Sequence, residues 1–148
     1  RFMGVYLGRD ASQVGPVRSG RLVDAQLGEM YQGLLFYANA VLAPVSLEIM
    51  TLQGLMEFSH SLAAIQKYRP ELQLRYILPT FFDRRVKKSD EILAQLQAHF
   101  GERVCAPVRY NVRLSEAPGY GQTIFEYAPN SIGAQDYETL TERIIADE

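Results

Sequence analysis

LRYILPTFF, residues 74–82, is the stretch on which the fold turns. It is apolar almost throughout, without the strict alternation of a strand that shows one face to water. Such a run reads as a strand buried on both faces, which is the state of strands in a parallel sheet covered by helices. Pro79 near its end and Asp83-Arg84-Arg85 after it mark where the strand gives way to a turn. Upstream, Glu48 to Tyr68 places Leu55, Phe58, Leu62 and Ile65 on one stripe of a helix, and Pro70 ends it. Before that helix, AVLAPV (Ala40 to Val45) is a second short buried strand, and Met30 to Tyr37 reads as a short helix.

Downstream, the next helix is expected to start at a Ser89 cap. Asp90 and Glu91 suit its positive end, Ile92, Leu93, Leu96 and Phe100 face inward, and Gly101 stops it. Val104 to Val108 is a third strand, and Tyr137, Leu140, Ile144 and Ile145 line a C-terminal helix. Strand and helix alternate, so the pattern predicts an α/β fold with a parallel sheet and helices on both faces. The segments after Val45, Phe82 and Val108 would then share one rim, where ligands of such sheets bind. Residues 27–148 form this orderly part. Residues 1–26 are an atypical segment with two open readings: strands at Phe2 to Leu7 and near Leu22, or sequence foreign to the fold that follows.

The chain has 148 residues, 47% hydrophobic and 22% charged, with a net charge of −2, an ordinary globular balance. The charge is uneven. Arg84 to Arg113 holds Arg84, Arg85, Lys87, Lys88, Arg103, Arg109 and Arg113 against three acids, whereas Arg143 is the only base after Leu114. A local basic face is therefore compatible with the acidic total. A single cysteine, Cys105, rules out an internal disulfide and favours an intracellular setting. With His60 and His99 far from it in sequence, no zinc pattern forms, and both histidines read as packing or capping residues.

Asn111 to Tyr137, NVRLSEAPGYGQTIFEYAPNSIGAQDY, is rich in glycine and proline and reads as a built loop between the third strand and the last helix. Together with ANAVLAPVSLEIMTLQGL (38–55), FFDRR (81–85) and HFGERV (99–104), it makes residues 27–145 resemble the C-terminal half of ParA/Soj-type partition ATPases. These belong to a P-loop family, with a deviant Walker A loop, that includes the Min-system and nitrogenase iron-protein ATPases. The resemblance implies that Asn111 and the backbone at Arg109 lie against the adenine of ATP. Arg109 stands where the family has proline, and Tyr110 where it has arginine. It also implies non-specific DNA binding through Arg85 and Arg113, whose guanidinium forks suit phosphates, with Arg84, Lys87 and Lys88 able to widen the patch. For the intact protein it implies ATP and Mg²⁺ as cofactors, an ATP-bound homodimer, a ParB-like partner, and work in chromosome or plasmid segregation in the cytoplasm, at the nucleoid.

Two departures bear on this chain's own activity. A P-loop needs Gly-Lys-Ser/Thr to hold phosphates and Mg²⁺, and none of the 11 glycines is followed by lysine. Asp24 in LVDAQLG is either a remnant of the Mg²⁺-assisting strand end or unrelated to it. The expectation is that this chain alone does not hydrolyse ATP and has no catalytic or metal-ligating residue. Asp83 reads as a turn cap first and a nucleotide-rim carboxylate second. The rival readings are an inactive nucleotide- or DNA-binding or interaction module, a gene remnant, and a Min-type positioning ATPase. Glu138, Glu142, Asp147 and Glu148 in and beside the last helix speak against a membrane-surface role for the last of these.

Overall fold

The computed structural model describes residues 4–8, 21–24, 40–47 and 52–147. Its elements run β1 (Gly4–Gly8), β2 (Arg21–Asp24), β3 (Ala40–Ser46), α1 (Leu52–Gln66), β4 (Gln73–Thr80), α2 (Lys87–Phe100), α3 (Val112–Glu116), α4 (Ile124–Tyr127) and α5 (Ile132–Ala146). The helix expected at Met30 to Tyr37 lies outside the described residues.

The fold is mixed α/β, and the sheet itself is mixed rather than wholly parallel. The strand order is β2-β1-β3-β4. β3 and β4 pair in parallel, joined by the α1 crossover. β1 runs antiparallel to both β2 and β3. The all-parallel expectation is therefore corrected on the β1 side, where AVLAPV gains a neighbour that periodicity did not orient.

The third expected strand lies where it was placed but is not a regular ladder. Bridges Ile77↔Val104 and Phe82↔Arg109 are both parallel and share one register. That register would next use the N–H groups of residues 79 and 107, and both are proline. The ladder breaks there, and Val108 N–H donates to the Pro79 carbonyl at 2.8 Å instead. Pairing resumes with Phe82 N–H on Val108 (3.1 Å) and Tyr110 N–H on Phe82 (2.9 Å). Thus 104–110 accompanies β4 to the rim without forming a continuous strand.

Helices cover both faces of the sheet. On one, Val41, Ala43, Val45, Leu74, Ile77 and Phe82 pack with Ile92 and Leu96 of α2. On the other, Leu42, Tyr76, Leu78, Cys105 and Val108 pack with Tyr137, Leu140 and Ile144 of α5. The register slips at Val41↔Leu74 and Leu42↔Tyr76, leaving Arg75 as the extra residue of a bulge. The bulge is why Leu74 and Ile77, three apart, serve the same face. Ile77 and Leu96 are fully buried, and each such side chain contributes roughly 2 kcal/mol of apolar burial. Of the α1 stripe, the side chains of Leu55, Phe58, Leu62 and Ile65 lie outside the described residues.

Helix ends follow local chemistry, with one correction. Gly101 closes α2 at φ 55°, a conformation that glycine adopts freely. Ser89 is not its N-cap, because α2 starts earlier, behind Val86, with Ser89 buried inside the first turn. That early start puts Lys87 and Lys88 at the positive end of the helix dipole, an unfavourable place for cations. α5 begins at Ser131, whose hydroxyl accepts from Ala134 N–H at 3.2 Å. Gly133 lets that first turn sit on α3, since a Cβ there would lie 2.7 Å from Leu114 Cγ. At its far end, α5 is tied to the sheet. The Tyr76 hydroxyl donates to Asp147 at 3.0 Å, and Arg143 donates to the Val104 carbonyl at 3.0 Å while lying 5.6 Å from the centre of the Tyr76 ring.

Candidate nucleotide and nucleic-acid interface

The turns after β4 and after residue 108 stand side by side at the carboxyl rim of the sheet. Their registration comes from the Phe82↔Arg109 bridge and the two hydrogen bonds around Phe82. The rim therefore brings Arg85 and Arg113 onto neighbouring turns. Asp24 ends β2 opposite Gly4, so its backbone stands at the same end of the sheet, two strands beyond β3.

Asp83 organises the first turn. Its Oδ1 accepts from Arg85 N–H at 2.9 Å, and its carboxylate receives Arg85 Nε at 3.0 Å and Nη2 at 2.8 Å. The turn-cap reading of Asp83 agrees with this geometry. The Arg85 fork holds the Asp83 carboxyl down at about 2, and Asp83 in turn raises Arg85. Arg85 remains 85% exposed, so the pair is one that solvent screens.

Because Asp83 titrates lower in the fold than its ordinary 3.8, the pair favours the native state above about pH 4, and that contribution fades as pH falls toward about 2. Asp83→Asn keeps the turn cap and removes the ionisation. The expected result is a shallower loss of thermal stability between about pH 4 and about pH 2 than in the wild type. Identical acid limbs in melts across that window would show that the pair is not formed in solution.

Asn111 is the cap of α3. Its Oδ1 accepts from Arg113 N–H at 2.9 Å, which leaves the amide NH₂ as its remaining donor. Arg109 is committed elsewhere. Its N–H donates to Asp136 Oδ2 at 2.8 Å, and its guanidinium grips the same carboxylate, with Nη2 to Oδ1 at 2.6 Å. Asp136 lies in α5 and is only 12% exposed. The N–H that a proline would lack is thus used as a structural donor, and the Asp136 carboxylate holds Arg109 firmly charged.

Arg113 pairs with Glu116 Oε2 at 3.0 Å, and the Tyr127 hydroxyl donates to that same oxygen at 3.0 Å. Tyr127 and Glu116 both keep Arg113 protonated, and the carboxylate pushes the Tyr127 hydroxyl up. Tyr127 stacks on Tyr120 with ring centres 5.1 Å apart. A Thr123–Glu126 capping box and Gly121 in the left-handed conformation complete the segment. The expected loop is therefore largely a series of short helical turns. Two residues given no specific role from sequence, Glu116 and Asp136, are what hold it. The only available signal was their spacing: three residues from Arg113 to Glu116 within a helical turn.

His60 and His99 are exposed and, among the described residues, bring no ligand set together, and Cys105 is buried, with its thiol pushed up by that burial. Among the described residues no cluster of three metal-ligating side chains forms.

This rim segment and its flanking strands are shared with known proteins. The chain is 38% identical over 129 residues to the chromosome-partitioning ATPase Soj of Thermus thermophilus, which covers 84% of this chain and 52% of that protein. It is 31% identical over 146 residues to Soj of Treponema pallidum, covering 96% and 58%, and 32% identical over 113 residues to the chromosome partitioning protein ParA of Caulobacter vibrioides, covering 75% and 42%. The chain belongs to the ParA/Soj family. It spans about half the length of these curated ParA/Soj relatives. Residues 1–76 also match the family model described as the N-terminal domain of a protein of unknown function (DUF3048), so that stretch belongs to that family too, under a description that names no activity. The match to the ParA/Soj proteins extends across most of the chain, and their names are what bear on function.

Proposed function

We propose that this chain is the adenine-side and DNA-facing portion of a partition ATPase with a P-loop, deviant-Walker-A architecture. The observation that carries the reading is the adjacency of the Asp83–Arg85 and Asn111–Arg113 turns on one rim of a chain related to Soj and ParA proteins. In the intact protein, ATP and Mg²⁺ support dimerisation, the rim binds DNA without sequence preference, and a ParB-like partner stimulates hydrolysis during chromosome or plasmid segregation at the nucleoid. No helix among the described residues is long and apolar enough to cross a membrane. In this reading residues 27–148 are the ATPase part, and β1 and β2 of the segment before them extend its sheet beside β3.

The residues fit the two halves of the nucleotide differently. The Asn111 NH₂ is not used by the capping bond, which occupies Oδ1, and can donate to a purine ring nitrogen, beside the Arg109 backbone. For the triphosphate and Mg²⁺ this sequence offers no Gly-Lys-Ser/Thr loop. Hydrolysis therefore belongs to the intact protein, and this chain contributes positioning of the base.

DNA binding is the part this chain can show directly. Titrating labelled duplex DNA at several salt concentrations should give an affinity that falls steeply as salt rises and does not depend on sequence. Absence of binding at low salt would overturn the DNA-facing assignment.

A further inference from the structure

A cavity of about 560 Å³ opens at the amino end of the sheet, lined by Gln66, Pro70, Gln73, Leu74, Arg75 and Arg103. It lies between the start of β4 and the 101–103 turn after α2. β4 runs on from Gln73 to Thr80 before it reaches the rim, so the cavity is roughly 20 Å from the turns of Arg85 and Arg113. Its volume is that of a small-molecule site. Arg75 is the extra residue of the β3–β4 bulge and belongs to neither core. Bulges of this kind re-aim a side chain. Both guanidiniums are short of counter-charge, because no carboxylate lines the cavity. Arg75 has one long contact among the described residues, 3.4 Å from Nη2 to the Asp147 carbonyl oxygen. Arg103 makes no ion pair among the described residues. The acids close by are engaged: Glu71 with Arg69, and the Asp147 carboxylate with Tyr76 and, loosely, Arg143. Glu102 precedes Arg103 in sequence but is exposed and outside the lining.

Two permanent positive charges in one cavity suit a single group of charge near −2. A phosphomonoester carries about −1.5 to −2 at neutral pH, and its oxygens match guanidinium forks. A carboxylate or a DNA phosphodiester brings a single negative charge. Gln66 spends its NH₂ on the Leu72 carbonyl, which leaves its amide oxygen as an acceptor, and the Gln73 amide is exposed. These two amides suit hydroxyl groups. No aromatic ring lines the cavity, so a nucleobase has nothing there to stack on. We propose that this cavity binds a small hydroxylated phosphomonoester of the sugar-phosphate kind, its phosphate held by Arg75 and Arg103 and its hydroxyl groups by Gln66 and Gln73. The site shares no residue with the rim, so it does not rest on the nucleotide and DNA reading.

Ribose 5-phosphate at about 10 mM should raise the melting temperature of the chain by about 2 °C or more. Ribose in sodium chloride of matched ionic strength should not. In calorimetric titrations with ribose 5-phosphate, Arg75→Ala and Arg103→Ala should each weaken binding about tenfold or more. Arg75→Lys keeps the charge but loses the fork, and should recover only part of that loss. Arg85→Glu with Arg113→Glu should leave the affinity within about twofold, since the two sites are far apart. Should Arg75→Ala melt well below the wild type without added phosphate, Arg103→Ala on its exposed turn carries the test alone. No shift with ribose 5-phosphate overturns the proposal. So does loss of the shift in the Arg85→Glu, Arg113→Glu variant, which would put the phosphate on the rim. An equal shift with sodium sulfate also overturns it, because that result means an adventitious ion only. The rim reading stands or falls on its own titration with duplex DNA, whichever way this one turns out.

Discussion

Arg85→Glu combined with Arg113→Glu is expected to lower duplex DNA affinity by about one to two orders of magnitude at low salt, and to flatten the salt dependence by about two counterions. The reason lies in how these arginines are held. In the free protein each already has a carboxylate, Asp83 for one and Glu116 for the other. Both pairs are exposed, so each fork can exchange a screened carboxylate for a phosphate at little cost. Reversal does more than delete two cations. It places a second carboxylate beside Asp83 and another beside Glu116, turning both turns into anionic clusters facing the same polyanion. The fold should be unaffected, because neither arginine is buried. Binding isotherms with a thermal melt of the same sample check both halves. Unchanged affinity at low salt would remove Arg85 and Arg113 from the DNA face.

Asp136→Ala is expected to cost about 2 kcal/mol of stability, a fall in Tm of roughly 5 °C for a chain of this size. Asp136 is nearly enclosed, and it receives both the Arg109 backbone N–H and the Arg109 guanidinium. Its removal leaves a backbone donor and a charged fork without their partner. Water reaches Arg109, which is 39% exposed, and this keeps the cost below that of a fully buried pair. Asp136→Asn should cost less, since its amide oxygen still accepts. A change in melting temperature under about 1 °C for the alanine variant would mean that the Arg109–Asp136 link does not anchor the rim segment to α5.

Much of the architecture was legible because its signals are local. LRYILPTFF and AVLAPV announce strands buried on both faces, and Gly101 ends its helix through a conformation that glycine adopts without penalty. The rim was legible too, since strand ends in α/β folds converge. The features that the sequence does not show are non-local or depend on a missing hydrogen. The break beside β4 needs Pro79 and Pro107 to fall at successive donor positions of one ladder, and nothing in either segment alone reveals that. Ser89 looked like a cap because cap chemistry is common to many serines, but the helix had already started behind Val86.

The residues by themselves determined the strand–helix order, the family and the arginines on the rim, because apolar period, turn chemistry and a long specific motif are written along the chain. Only the tertiary structure decided that those arginines carry their own counter-charges, that Arg109 is tied to Asp136 across 27 residues, and that Phe81 sits half-exposed at positive φ. Each of these depends on two segments meeting in space, where a carboxylate or a backbone bond selects one conformation from the many that the local sequence allows.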